Sequence, residues 1–229
     1  MTQAAFIVLD GNDGSGKATQ AEMLKERLER EGITCLKLDF PGYERTVFGG
    51  LVGECLAGKH GDFLNLDAKI ASSLYALDRF ESSALIRDKL KNGGVVIADR
   101  FASANQIHQG GKIKDEADRI DFLAWLDHIE HEVLGIPRPD RIIYLDVPVD
   151  VSLRLLGEKR ARKNQHVGDS DVDTVESDRQ YLERSHATAE WLVAHQPNWA
   201  RVDCMENGEL RSREAIHADI MRNVSAVVG

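Results

Sequence analysis

The segment Gly11-Asn12-Asp13-Gly14-Ser15-Gly16-Lys17 narrows the choice of fold more than any other stretch of the chain. It lies between an apolar run, Phe6 to Leu9, and a stretch in which Ala21, Leu24 and Leu28 recur at helical spacing. Glycines in such a turn let backbone N–H groups curl around anionic oxygens, and the helix N-terminus adds the positive end of its dipole. Lys17 can then extend toward the outer phosphates of a bound polyphosphate. An ordinary glycine-rich turn is the plain alternative, but a strand before and a helix after are the setting that the G-x-x-x-x-G-K pattern demands. One position departs from it. Ser or Thr after the lysine would ligate Mg²⁺, and here Ala18 is followed by Thr19. Ala18 cannot hold a metal. Either Mg²⁺ rests on phosphates, water and carboxylates, or the loop binds nucleotide without turnover.

Further along, short apolar runs alternate with helical patterns. Cys35 to Leu38, Val95 to Ala98, Ile142 to Leu145 and Trp199 to Val202 read as strands. Stretches from about Asp67 to Leu90, Ala117 to Leu134, up to Leu192, and through Ile216, Ile220 and Val224 read as helices. Continuous apolar strands suit a parallel sheet buried on both faces, with sites beyond the carboxyl ends of the strands. Polar groups gather at those ends: Gly11 to Thr19, Phe40 to Tyr43, Asp99-Arg100, and from Asp146 onward. The expected architecture is α/β, in three layers. Its 229 residues suit one domain, with no boundary or repeat evident.

Hydrophobic residues at 42% and charged residues at 29% can bury a core, which excludes a disordered chain. A net charge of −9 argues against a nucleic-acid coat, which needs a broad basic surface. No apolar run approaches the ~20 residues of a membrane span, and the first residues lack the pattern of a secretory signal. Cys35, Cys55 and Cys204 form no CxxC pair, so neither a disulfide framework nor a zinc site is expected, and a cytoplasmic location is. A GTPase would carry NKxD on a later strand, and none is found.

Several segments in order resemble those of the thymidylate kinase family: FPGYE, SLYALDRFE, ADRFASANQIHQGG, and GIPRPDRIIYLDVP leading to GEKRARKN. The resemblance spans roughly Phe6 to Asp203. It implies a P-loop kinase fold with an arginine-bearing lid at about residues 157–175. It also implies transfer of the ATP γ-phosphoryl to dTMP, with ATP and Mg²⁺ as cofactors, and a homodimer. A kinase for another monophosphate such as dUMP or dCMP, or a non-catalytic nucleotide-binding regulator, are the alternatives.

Carried over by residue, the resemblance gives Gly11 to Thr19 to ATP, with Asp13 also accepting from the 3′-hydroxyl of dTMP. Tyr75 would stack on thymine. Arg79, four residues on and so on the same helix face, would donate to an exocyclic oxygen. The bland reading is a core tyrosine with a surface arginine paired to Asp78 or Glu81. Arg100 would clamp the acceptor phosphate, and Asp99 would stand near Mg²⁺ through water. Phe40, Pro41 and Tyr43 would line the acceptor pocket, with core packing an alternative role for Phe40. Asn105 would bond the thymine ring. His108 falls where many members have Tyr beside the sugar, and Ala104 where many have Ser. Gly14 takes the place of a loop arginine found in some members, so the lid cations Arg160 and Arg162, flanked by Lys159 and Lys163, are expected to be catalytic, or one of them to stack on adenine. A solvated helix end is the plain reading of that cluster. Asp169, Asp171 and Asp173 begin like a calcium loop but lack its Gly and Glu. His128, Glu130 and His131 read as a solvated helix face.

Overall fold

The computed structural model describes residues 3–164 and 179–229. Five strands, β1 (Ala5–Gly11), β2 (Cys35–Asp39), β3 (Val95–Asp99), β4 (Arg141–Asp146) and β5 (Trp199–Asp203), form a sheet in the order β2-β3-β1-β4-β5. All four pairings are parallel. The residues of the central strands alternate between two cores. Phe6, Val8, Val96, Ala98, Ile142 and Tyr144 point to one face. Ile7, Leu9, Val95, Ile97, Ile143 and Leu145 point to the other. This is why the strands read as unbroken apolar runs: neither face meets water.

Helices α1 (Lys17–Arg30) and α8 (Arg213–Val228) cover the second face through Leu24, Leu28, Ile216, Ile220 and Val224. The first face is covered by α3 (Ala68–Lys91), α4 (Ala102–His108), α5 (Glu116–Asp127) and α7 (Arg179–His195), using Ile86, Ile107, Phe122, Leu126 and Leu192. The three-layer expectation holds. Helix α2 (Val47–Leu56) packs with α3 around Cys55, Phe63 and Ala71. Helix α6 (Val149–Asn164) follows β4, and a small antiparallel pair, β6 (Met205–Glu206) and β7 (Glu209–Leu210), follows β5. A π-helical turn, His128–Val133, continues α5. Among the described residues no helix is long and apolar enough to cross a membrane.

Among the described residues, four helices start on a side-chain cap. Thr46 caps α2, Asp67 caps α3, Asp115 caps α5 and Ser212 caps α8, each accepting from a first-turn N–H. Helix α1 starts instead at Gly16, φ 89°, with no side-chain cap. Its first-turn N–H groups therefore stay available to an anion at the carboxyl edge of the sheet.

Candidate active site

The loop between β1 and α1 is shaped by glycine where shape matters most. Gly11 has φ 153°, and a Cβ there would lie 2.7 Å from the Leu145 carbonyl oxygen and 2.8 Å from Ser15 Oγ. Only glycine lets the chain pass so close to β4. Lys17 Nζ donates to the carbonyls of Gly11 and Asn12, both at 2.9 Å, and lies 3.9 Å from Asp13 Oδ1. Burial, and then the Arg100 charge, pull its pKa down to about 8 against the attraction of Asp13, Asp99 and Asp10. Ala18 and Thr19 are exposed on the outer side of the first turn.

Arg100 follows β3 with φ 65°, a left-handed conformation uncommon for a side-chain-bearing residue. Its N–H bonds the Leu9 carbonyl at 2.9 Å, which ties this bend to the neighbouring strand. The guanidinium donates from Nη2 to Asp13 Oδ1, and Nη1 lies 3.0 Å from His108 Nε2. Burial opposes its charge, but Asp13, Asp10 and Asp99 together raise its pKa. Burial likewise works against Asp13, yet Arg100, Lys17 and His108 hold that carboxyl well below its usual range. Burial also raises the pKa of Asp99. A guanidinium can only donate, so His108 Nε2 accepts and the ring proton sits on Nδ1. Burial, with Arg100 beside it, lowers the His108 pKa to about 4, so the ring is neutral at pH 7.

Beyond this cluster opens a cavity of about 1100 Å³. Asp13 and Arg100 line it at the phosphate-loop end, with Phe40, Pro41 and Tyr43 from the loop after β2. Tyr75 and Arg79 of α3, and Ala104, Asn105 and His108 of α4, line it as well. All the residues expected to surround the acceptor are thus brought together. Lys17 and Asp99 do not line the cavity; they stand behind Asp13 and Arg100. Phe40 both lines the cavity and is buried edge-on against Phe101 at 5.2 Å. Asn105 Nδ2 donates to the Ser72 carbonyl at 3.3 Å, which anchors α4 on α3.

One plain alternative is set aside and one expectation is corrected. Arg79 is neither at the surface nor paired with Asp78 or Glu81: it is 2% exposed and ion-paired with Glu130. Glu130 in turn does not sit on a solvated face, being fully buried, while its neighbour His128 is exposed. Asp78 has a task of its own. Its carboxylate accepts from Gly42 N at 3.0 Å and from Thr46 Oγ1, and so pins the Phe40–Thr46 loop beneath α3.

The structure also adds wall residues that periodicity could not supply. Tyr181 of α7 stacks on His108 with ring centres 6.0 Å apart, and Arg184 donates from Nε to the Gly111 carbonyl at 3.2 Å. Helical spacing marked α7 as packed, but nothing in it said against which cavity. The expected lid falls largely outside the described residues. Backbone positions 160 and 162 belong to α6, whereas the side chains of Lys159, Arg160, Arg162 and Lys163 and the segment 165–178, with Asp169 to Asp173, are outside them.

Among the described residues no three His, Cys, Asp or Glu side chains are arranged to hold a metal by themselves. The carboxylates Asp10, Asp13 and Asp99 do surround Lys17. This donor set fits an ion that arrives on nucleotide phosphates, not one held in a protein cage.

The family model described as thymidylate kinase matches residues 9–216. Thymidylate kinase of Mycobacterium tuberculosis (strain ATCC 25618 / H37Rv) is 31% identical over 189 residues, covering 82% of this chain and 86% of its own length. That of Neisseria gonorrhoeae (strain ATCC 700825 / FA 1090) is 34% identical over 162 residues, covering 69% and 71%. The solved thymidylate kinase of Candida albicans superposes with a TM-score of 0.71 over 99% of this chain and 93% of its own, at 19% identity, a likeness of fold.

Proposed function

The chain belongs to the thymidylate kinase family, the enzymes that convert dTMP to dTDP, and from that membership we propose how its residues perform the transfer from ATP. The observation that carries the proposal is the meeting of two compartments at Asp13 and Arg100. On one side lies the loop of Gly11 to Lys17, and on the other the cavity. A donor polyphosphate in the loop and a monophosphate ester in the cavity would face each other there, as in-line displacement requires.

The loop amides from Asn12 to Thr19 and Lys17 bind the donor phosphates. Arg100 clamps the acceptor phosphate, held in place by its left-handed backbone and by Asp13. The acceptor's second pKa is about 6, so it is mostly dianionic at pH 7 and needs no general base. Catalysis is then positioning and charge neutralisation. Mg²⁺ on the donor phosphates would add to that neutralisation, with Asp99 and Asp10 as the carboxylates that hold its water shell. Tyr75 offers a π face to the base, Arg79 a donor to its carbonyl, and Asn105 a further polar contact. Asp13 accepts from the 3′-hydroxyl, and His108 stands at the sugar. Arg160 and Arg162 supply lid cations from a single domain spanning 1–229. The exposed apolar side chains Val47 on α2 and Phe80 and Leu85 on α3 support a homodimer. A cytoplasmic setting with no nucleic-acid partner fits the net charge of −9.

A coupled assay with MgATP and a panel of nucleoside monophosphates tests this reading. Turnover should be greatest with dTMP, weaker with dUMP, and lowest with dCMP. ATP binding without phosphorylation of any monophosphate would make the chain a binding module, and preference for dCMP would overturn the base assignment.

A further inference from the structure

Among the described residues, the interior of the first core holds one fully buried ion pair. Arg79 on α3 donates from Nε to Glu130 Oε2 at 2.8 Å and from Nη2 to Glu130 Oε1. Such a two-point fork fixes the plane of the guanidinium as well as its place. It occupies the Nε–Nη2 edge and leaves the Nη1 corner, whose hydrogen bond among the described residues is a long one, 3.5 Å to the Phe101 carbonyl. Arg79 and Phe101 line the cavity, and Glu130 does not. Glu130 is therefore behind the wall, and Nη1 is the corner of the wall residue Arg79 that it does not hold.

The local backbone explains how a carboxylate reaches this place. Glu130 lies in the π-helical turn His128–Val133, where hydrogen bonds reach one residue further than in an α-helix. Glu130 falls four and eight residues after Leu126 and Phe122, on the buried side of α5, while His128 and Glu132 are exposed. The Ile136 N–H bonds the Glu130 carbonyl at 2.8 Å and the Ile136 carbonyl pairs with His131 Nδ1 at 2.8 Å, which closes the turn on itself. A buried pair of this kind is no reliable source of stability, because desolvation offsets attraction. What it does supply is orientation.

We propose that Glu130 is a positioning residue for base selection: by holding Arg79 at two points it presents the Nη1 corner as a fixed donor to a carbonyl-bearing pyrimidine. This rests on the proposed reading of Arg79 as the base-facing arginine. A fixed donor rejects cytosine, whose exocyclic group at that position is itself a donor, whereas a swivelling arginine can turn away from the mismatch.

The test compares native protein with Glu130→Gln and Glu130→Asp, measuring kcat and KM for dTMP and dCMP. The ratio of the two kcat/KM values does not depend on the fraction of enzyme folded. In Glu130→Gln the ratio should fall about ten-fold or more, through a raised KM for dTMP with kcat little changed, since the reacting phosphate is far from the base. Glu130→Asp keeps the charge but shortens the reach, and should fall between the two; it serves alone if the Gln variant does not fold. Arg79→Met should reach the same low ratio, with no further loss when Glu130→Gln is added. If both Glu130 variants keep the native ratio, the positioning role is overturned while dTMP kinase activity stands. If the native protein itself does not prefer dTMP over dCMP, the reading of Arg79 fails first and the role of Glu130 with it.

Discussion

At the scale of single residues, Lys17 and Arg100 show how one environment divides two cations. Arg100 keeps its proton under burial because three carboxylates face it. Lys17, buried beside that guanidinium, is drawn down to about 8. Its charge is thus present at pH 7 and lost as pH rises through 8, well before an ordinary lysine at about 10.4 would lose it. ATP affinity of the free protein should weaken progressively from pH 7 to 9, and binding near pH 8 should take up protons. Calorimetric titrations in buffers of different ionisation enthalpy measure both. A flat affinity profile over this range, or one unchanged in Lys17→Met, would contradict the assignment.

At the scale of elements, the segment from Phe40 to Leu56 was the least legible. Only the FPGYE turn was read, and the helix that follows it was not. Three glycines in Val47–Leu56 weaken the helical signal, because glycine disfavours helix interiors by about 1 kcal/mol each. Packing explains at least one of them: a Cβ on Gly49 would lie 2.4 Å from the Gly42 carbonyl oxygen, so a larger residue could not let α2 sit on the loop. Asp78 is the other half of that joint. Removing it by Asp78→Ala leaves the Gly42 N–H without its acceptor and the Thr46 hydroxyl with the Gly42 carbonyl at 3.1 Å, at a cost of about 1–3 kcal/mol. The Phe40–Tyr43 wall should then loosen. The expected outcome is a lower Tm together with a KM for dTMP raised several-fold, and kcat changed less. Calorimetry and steady-state kinetics on the same preparation check it.

At the scale of the whole molecule, two histidines couple the helices on the first face to pH with opposite signs. His108, lowered to about 4, is neutral in the folded chain, while the unfolded chain takes its proton near 6.5. Between those values the unfolded state binds more protons, so this contribution to stability falls as pH drops from 6.5 toward 4. His186 of α7 hydrogen-bonds Asp146 at the end of β4 at 2.8 Å, and that bond raises its pKa. Its contribution is present below the unfolded value and fades as pH rises through the folded one. Urea unfolding at a series of pH values should show a shallower loss of stability below pH 6.5 in His108→Gln than in native protein. In His186→Gln the decline on the alkaline side of 6.5 should shrink instead. Identical profiles for all three proteins would remove both assignments.

What the sequence determined by itself is whatever rests on neighbours in the chain. Five apolar runs identified five strands, glycine spacing with Lys17 identified the anion loop, and Tyr75 and Arg79 four apart were bound to share a helix face. Ordered motifs then located the cavity walls from Phe40 to His108. Tertiary structure decided what depends on partners distant in sequence. The strand order β2-β3-β1-β4-β5, the return of Tyr181 and Arg184 to the wall, and the left-handed bend at Arg100 leave no local periodic trace. Glu130 is the clearest case. Its flanking polar residues gave it the pattern of a solvated face, although it falls four residues after Leu126 on the buried side of α5, and an arginine 51 positions earlier meets it there. Local patterns record which side of an element avoids water; they do not record which buried charge another element brings to meet it.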